Sequence, residues 1–118
     1  MKTTEEMSEH FLDMLYEDVV LLGTNLYKEI YEKTTVTDEL IPYYKSALNL
    51  YNSLSKENQK VFFEIIQNTI TETVVDVLGI LDGNVNPDKK LEPQLLINNE
   101  NTDGILQELF VINYMEEA

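Results

Sequence analysis

From Ser55 to Leu81 the chain reads SKENQKVFFEIIQNTITETVVDVLGIL, a run without proline in which Gly79 is the only glycine. Phe62, Phe63, Ile66, Ile70, Val74, Val77, Leu78 and Leu81 step by three and four, the spacing that lines side chains along one side of an α-helix. Val61, Ile65, Val75 and Ile80 fall off that stripe and widen it, so this helix is expected to meet neighbours on more than one side. At about 1.5 Å per residue it spans roughly 40 Å, the length of a small domain. The other elements must pack around it. Within it, TITETVVDV is rich in β-branched residues and has strand propensity. Strict alternation fails at Val74-Val75, and the periodicity on both sides is helical, so helix is the expectation there.

Upstream, Thr3 or Thr4 is placed to cap a first helix, with Glu5 and Glu6 in its first turn, where the helix dipole favours negative charge. Met7, Phe11, Leu15, Val19, Leu22, Leu26 and Ile30 keep helical spacing, with Leu12, Tyr16, Val20, Tyr27 and Tyr31 as a second stripe beside them. Gly23 interrupts the middle, marking a kink or a close helix approach, and one long helix ending near Lys33 is expected. Thr34 to Asp38 is a polar connector. Thr35 or Thr37 is a candidate cap for the second helix, with Pro42 near its first turn, where a missing N–H does little harm. Leu40, Tyr44, Ala47, Leu48, Tyr51 and Leu54 are its buried side, and it should end around Ser53. Ser55 then caps the long helix, with Leu54 packed in front of it. The two helices meet across a tight turn.

Gly83 is the natural left-handed residue ending the long helix. Residues 82–104 are Asn, Asp, Pro and Lys around Leu95-Leu96-Ile97, an irregular or β-hairpin insertion. A strand near Gly83–Asn86 pairing with one near Gln94–Asn98 is the expectation. A last helix follows Thr102-Asp103-Gly104, with Ile105, Leu106, Leu109, Phe110, Ile112 and Tyr114 closing the core, and Met115-Glu116-Glu117-Ala118 forms an acidic end. The fold class is mainly α: a single helical domain over 1–118, a bundle of about four helices in which the first and third form the core and the second packs across them.

Charge narrows the function. The net charge is −14, from 22 acidic residues against 8 lysines, and arginine is absent. Nucleic acid and anionic membrane are therefore not expected partners, since both are bound by clustered Lys and Arg. A solubilising surface accounts for the charge, and so does an acidic face complementary to a basic protein. No cysteine is present to form a disulfide or thiolate site. The start, MKTTEE, leads into an amphipathic helix with no apolar leader-like core, and no apolar run spans a bilayer; a cytoplasmic location is expected.

His10 is the single histidine, and Glu6 and Asp13 at i−4 and i+3 make a carboxylate–His–carboxylate cluster on one helix geometrically possible; metal sites commonly take more than one His, and a surface His in an acidic neighbourhood explains the group as well. Glu6, Glu9, Asp13 and Glu17 follow helical spacing and resemble the carboxylate ladder of all-α, magnesium-dependent nucleotide pyrophosphatases. In those enzymes an E-x-x-E is answered by E-x-x-D on another helix. Here the answering pair is Glu72 and Asp76, one residue too far apart, and outward-facing charge on an amphipathic helix explains the ladder equally well. No phosphate loop, nucleophile elbow or basic recognition helix is present, and no cofactor is expected. Six of the seven tyrosines lie in the first two helices, and Tyr16, Tyr27 and Tyr31 are the candidate interface residues. A first helix apolar on two sides has surface to cover, by a second copy or by a partner.

Leu54-Ser55-Lys56-Glu57-Asn58-Gln59, Ile80-Leu81-Asp82-Gly83 and Leu106-Gln107-Glu108-Leu109-Phe110 together resemble small, acidic, uncharacterised bacterial proteins, some of immunity or antitoxin type. The resemblance covers the C-terminal two-thirds and implies no catalytic residues. The expected function is a small acidic protein-interaction domain that occludes a basic partner. The alternatives are a magnesium-dependent nucleotide pyrophosphatase-like enzyme and a self-associating structural protein.

Overall fold

The computed structural model describes residues 3–115. Helix α1 (Thr4–Leu15) begins at a full capping box. The Glu6 N–H donates to Thr3 Oγ1 at 3.1 Å, and the Glu6 carboxylate accepts from the Thr3 N–H in return. It runs without a break into a π-helical turn (Tyr16–Leu21) and then α2 (Leu22–Lys33), so the first rod is one continuous helix, as its periodicity demands. Helices α3 (Pro42–Ser53) and α4 (Lys56–Leu81) follow, then strands β1 (Leu96–Ile97) and β2 (Glu100–Asn101), and finally α5 (Leu106–Tyr114).

The π-helical turn decides which side of the first rod faces inward. The Leu22 N–H donates to the Glu17 carbonyl, five residues back, which adds about one residue to the turn. Before it, Ser8 and Leu12 are buried and Phe11 and Leu15 half-buried; within it Val20 is buried, and after it Thr24 and Tyr31. Continued as a plain α-helix, the stripe of Met7, Phe11 and Leu15 would have carried Val19, Leu22 and Leu26 into the core. Instead these three stand 42, 50 and 52% exposed. The shift places Gly23 against α4, where a β-carbon on it would sit 3.5 Å from Ile70 Cδ1, and the Thr24 hydroxyl bonds back to the Val20 carbonyl at 2.7 Å. Gly23 thus does not break the rod, and a β-carbon there would make only ordinary contact.

Two cores form along α4. At its C-terminal half, Leu12, Val20, Leu78, Leu106 and Phe110 interlock with Tyr16 and Tyr114, whose rings stack at 4.4 Å. At its N-terminal half, Tyr31, Leu48, Tyr51 and Phe63 form an aromatic cluster completed by Phe62, with Val36 and Leu40 of the connector packed on it. Helix α3 lies across that end only.

The helix ends follow their local chemistry. Ser55 Oγ accepts from the Asn58 N–H, and α3 starts on Pro42 after an extended Ile41. Neither Thr35 nor Thr37 caps α3, because the proline needs no donor satisfied and the connector runs on to Ile41. Gly83, at φ 81°, closes α4 in a Schellman motif, with Asn84 N–H to Gly79 O and Gly83 N–H to Ile80 O.

The hairpin before α5 has a different partner from the one its sequence suggested. Strand β1 pairs with β2, just downstream, and 83–86 forms no strand. Asn98 and Asn99 both take positive φ, 51° and 68°, the two-residue type I′ turn that matches strand twist. Thr102, 1% exposed, extends the pairing: its N–H and hydroxyl both donate to the Leu95 carbonyl. The start of α5 is tied to the end of α4 by Asp82, whose carboxylate accepts from the Gln107 N–H at 2.7 Å. Gln107 also reaches the Val75 carbonyl and Asn84, over a Gly79 whose missing side chain leaves it room.

Candidate interaction surface

The open side of the molecule lies between α2, α3 and α4. A groove of about 540 Å³ is lined there by Tyr27 and Tyr31 of α2, Tyr43, Ser46, Ala47 and Leu50 of α3, and Phe62, Ile65, Ile66, Thr69 and Ile70 of α4. None of these eleven side chains is charged. In a chain of net charge −14 an uncharged patch of this extent is a marked departure from the rest of the surface. Tyr43, Leu50 and Ile65 are 66, 56 and 61% exposed, so they contribute apolar area to water rather than to the fold.

The exposed face continues beyond the groove. On α4, Val61, Ile65, Thr69, Thr73 and Val77 recur every four residues, and all five are exposed. The two threonines are apolar in effect. Thr69 Oγ1 donates to the Ile65 carbonyl and Thr73 Oγ1 to the Thr69 carbonyl, both at 2.8 Å, so each hydroxyl is satisfied within the helix and covering the face strands neither. Beside Tyr27, the outward Val19, Leu22 and Leu26 add a second apolar strip.

The candidate tyrosines separate. Tyr27 is exposed on the groove, whereas Tyr31 is 5% exposed, its ring edge-on to Phe62 at 4.9 Å within the aromatic cluster. Burial, followed by its neighbour Tyr43, pushes the Tyr31 phenol above its ordinary value. Burial likewise raises Tyr51, with Glu32 adding to it. Tyr16 is half-buried, stacked on Tyr114. The groove residues Tyr43, Leu50, Ile65 and Thr69 do not stand out in the sequence as an interface. The available signal is the set Val61, Ile65, Val75 and Ile80, apolar but off the core stripe. It predicts contact on more than one side; Val75 packs half-buried against the C-terminal core, whereas Val61, Ile65 and Ile80 stay exposed.

The carboxylates Glu6, Glu9, Asp13 and Glu17 are all exposed along the first rod, with Glu6 engaged in the α1 cap. Glu72 accepts from the Asn68 amide on α4. Among the described residues, no three His, Asp or Glu side chains converge as a metal would require. His10 lies on a shallow cleft between α1 and the hairpin with Met7, Met14 and Ile97, where Asn98 approaches the Met7 sulfur at 3.5 Å. On the side of α2 and α4 away from the apolar groove, Lys28, Lys56 and Lys60 line a second groove interleaved with Glu32 and Glu64, the Lys28 ammonium 5.8 Å from the Phe63 ring centre. Among the described residues, no helix is long and apolar enough to cross a membrane. No known protein family, curated protein or solved structure matches the chain.

Proposed function

We propose that this protein acts by binding other protein chains, as an acidic occluding domain of the immunity or antitoxin kind, rather than by catalysis. The observation that carries the reading is surplus surface. A folded chain of 13.7 kDa exposes about 6,600 Å² when compact, whereas this one exposes 8510 Å². Its radius of gyration, 18.2 Å, likewise exceeds the roughly 13.5 Å of a compact domain of this length. Part of that surface is apolar, as Tyr43, Leu50 and Ile65 show on the groove, and such area gains most from a macromolecule that covers it. The acidic exterior supplies the partner's sign: a basic protein is steered in by the summed field, and salt weakens that steering.

The test is affinity capture from the encoding organism in low salt, with captured proteins identified by mass spectrometry and then purified. The expected result is one saturable basic partner whose dissociation constant rises steeply with salt, and whose expression alone arrests growth unless this chain is co-expressed. A purified partner that binds equally well at high salt, or one whose harmful activity continues when this chain is bound, sinks the occlusion reading.

A further inference from the structure

Sulfur accompanies the single histidine. Met7, His10 and Met14 stand at i, i+3 and i+7 of α1, which is regular α-helix from Thr4 to Leu15. At about 100° per residue the three fall within roughly 60° of arc, and His10 lies in the turn between the two methionines. All three line the cleft between α1 and the β1–β2 hairpin, in company with the half-buried Phe11 and Ile97. The chain has four methionines and one histidine, so this face of one helix carries half of its thioethers and its only imidazole. Neither His10 nor Met14 is committed to the core: both are exposed, Met14 by 49%. The Met7 sulfur meets the Asn98 amide at 3.5 Å, the weak bond that a thioether accepts.

We infer that this cleft takes a soft monovalent cation, the cuprous ion, on the Met7 and Met14 sulfurs and the His10 imidazole. Thioether sulfur and imidazole nitrogen are donors that suit Cu(I), whereas magnesium and calcium take oxygen. The carboxylates of α1 give a harder cation no comparable set: no three His, Asp or Glu side chains converge among the described residues. Long helical side chains lean toward the helix N-terminus, which carries Met14 back over the turn of His10. Met7 reaches the same turn from the other side by swinging about its three rotatable bonds, and exchanges the weak Asn98 contact for a metal bond. Both sulfurs are neutral, so the ion keeps its charge, and a chain of net charge −14 with Glu100 on the same cleft favours it there. The site lies on α1 and the hairpin, apart from the uncharged groove of α2, α3 and α4, and stands whether or not that groove takes a protein.

The probe is silver(I), supplied as the nitrate, which shares the soft ligand preference and does not change oxidation state in air. The full chain is titrated with it by calorimetry, and the methionine methyl resonances are followed in parallel; the absence of cysteine leaves no thiolate to compete. The expected result is one equivalent bound, with the Met7 and Met14 methyl signals shifting and that of Met115 unmoved. Met14→Leu and His10→Gln, both at exposed positions, should keep the helical circular dichroism and each weaken binding at least tenfold. The Met7→Leu/Met14→Leu double variant should weaken it at least a hundredfold. Copper(I), delivered without oxygen from a chromogenic chelator, should displace the silver one for one, and zinc(II) in excess should not. No saturable binding, several equivalents bound with no methyl signal favoured, or an affinity unchanged in Met14→Leu overturns the inference. Displacement of silver by zinc(II) overturns it too, because it assigns His10 to its neighbouring carboxylates Glu6 and Asp13 instead of to sulfur. Failure of copper(I) to displace silver overturns the identity of the ion.

Discussion

The two ends of α4 are built on different terms. At the C-terminal end, α1, the π-helical turn and α5 enclose an aliphatic core in which Leu12, Val20, Leu106 and Phe110 have no exposure at all. At the N-terminal end, α2 and α3 hold an aromatic cluster from two sides only, and a third side opens into the uncharged groove. One helix supplies both. The difference lies in what covers it: a fourth helical element at one end, and nothing among the described residues at the other. A small chain leaves an apolar side of its longest helix bare only at a cost in solubility, so the bare side is the place to look for function.

If the C-terminal core is the sealed one, truncating it should hurt most. Phe110→Ala is expected to cost about 3–5 kcal/mol, since the surrounding side chains are fixed on all sides and cannot collapse into the void. Phe63→Ala, beside the open end, should cost less, about 2–3 kcal/mol, because solvent and mobile neighbours relieve part of the cavity. Urea unfolding of both variants checks this; equal losses, or a larger loss at Phe63, would mean the two ends are equally closed.

The next test concerns how the closed end is sealed. Asp82 joins the end of α4 to the start of α5 through the Gln107 N–H, in the role of an N-cap acceptor. Asp82→Ala should cost about 1–2 kcal/mol, and hydrogen exchange should quicken first in α5. Unchanged protection in α5 would show that the aliphatic core alone closes that end.

A smaller effect belongs to the open end and reads out in alkali. Burial raises the Tyr31 and Tyr51 phenols above the ordinary value of 10.0, so the folded state holds these protons more tightly than the unfolded chain does. The stability this contributes is complete below pH 10 and is lost as pH rises through the raised values. The urea midpoint should therefore fall above pH 10, and the Tyr31→Phe/Tyr51→Phe double variant should flatten that fall. A double variant as alkali-sensitive as the parent would place the sensitivity elsewhere.

Much of this architecture is legible in the residues. Ser55, Pro42 and Gly83 announce helix boundaries because each acts through its own backbone neighbourhood. The long helix survives its β-branched TITETVVDV segment because core contacts at Ile70, Val74 and Leu78 outweigh weak propensity. What is hidden is tertiary. The π-helical turn has no residue signature; it shows only in the Leu22 N–H donating to the Glu17 carbonyl. The hairpin signal, Asn98-Asn99, is local, but its polarity reads equally well as loop. That Tyr31 sits inside the aromatic cluster while Tyr27 stays exposed is likewise visible only in the packed chain. The stripe centred on Thr69 reads as half polar until the hydroxyls are seen bonding back to their own helix.

The smallest expected effect probes the closed end from inside. Ser8 is fully buried on α1, and its hydroxyl has no hydrogen-bond partner among the described residues. A buried hydroxyl without a partner carries a desolvation cost of about 1–3 kcal/mol, only part of which a relaxed geometry recovers. Removing the oxygen changes volume little, and alanine is the better helix former. Ser8→Ala should therefore stabilise the protein, by about 1 kcal/mol, measured as a higher urea midpoint at unchanged slope. A loss of stability instead would mean that the hydroxyl is held by an internal water, and that the closed end is less dry than its aliphatic lining implies. Ser8→Val separates dryness from tightness: two methyl groups in place of the hydroxyl add one heavy atom to a filled site and should cost about 1–3 kcal/mol, and a neutral result would show slack packing where the core is otherwise sealed.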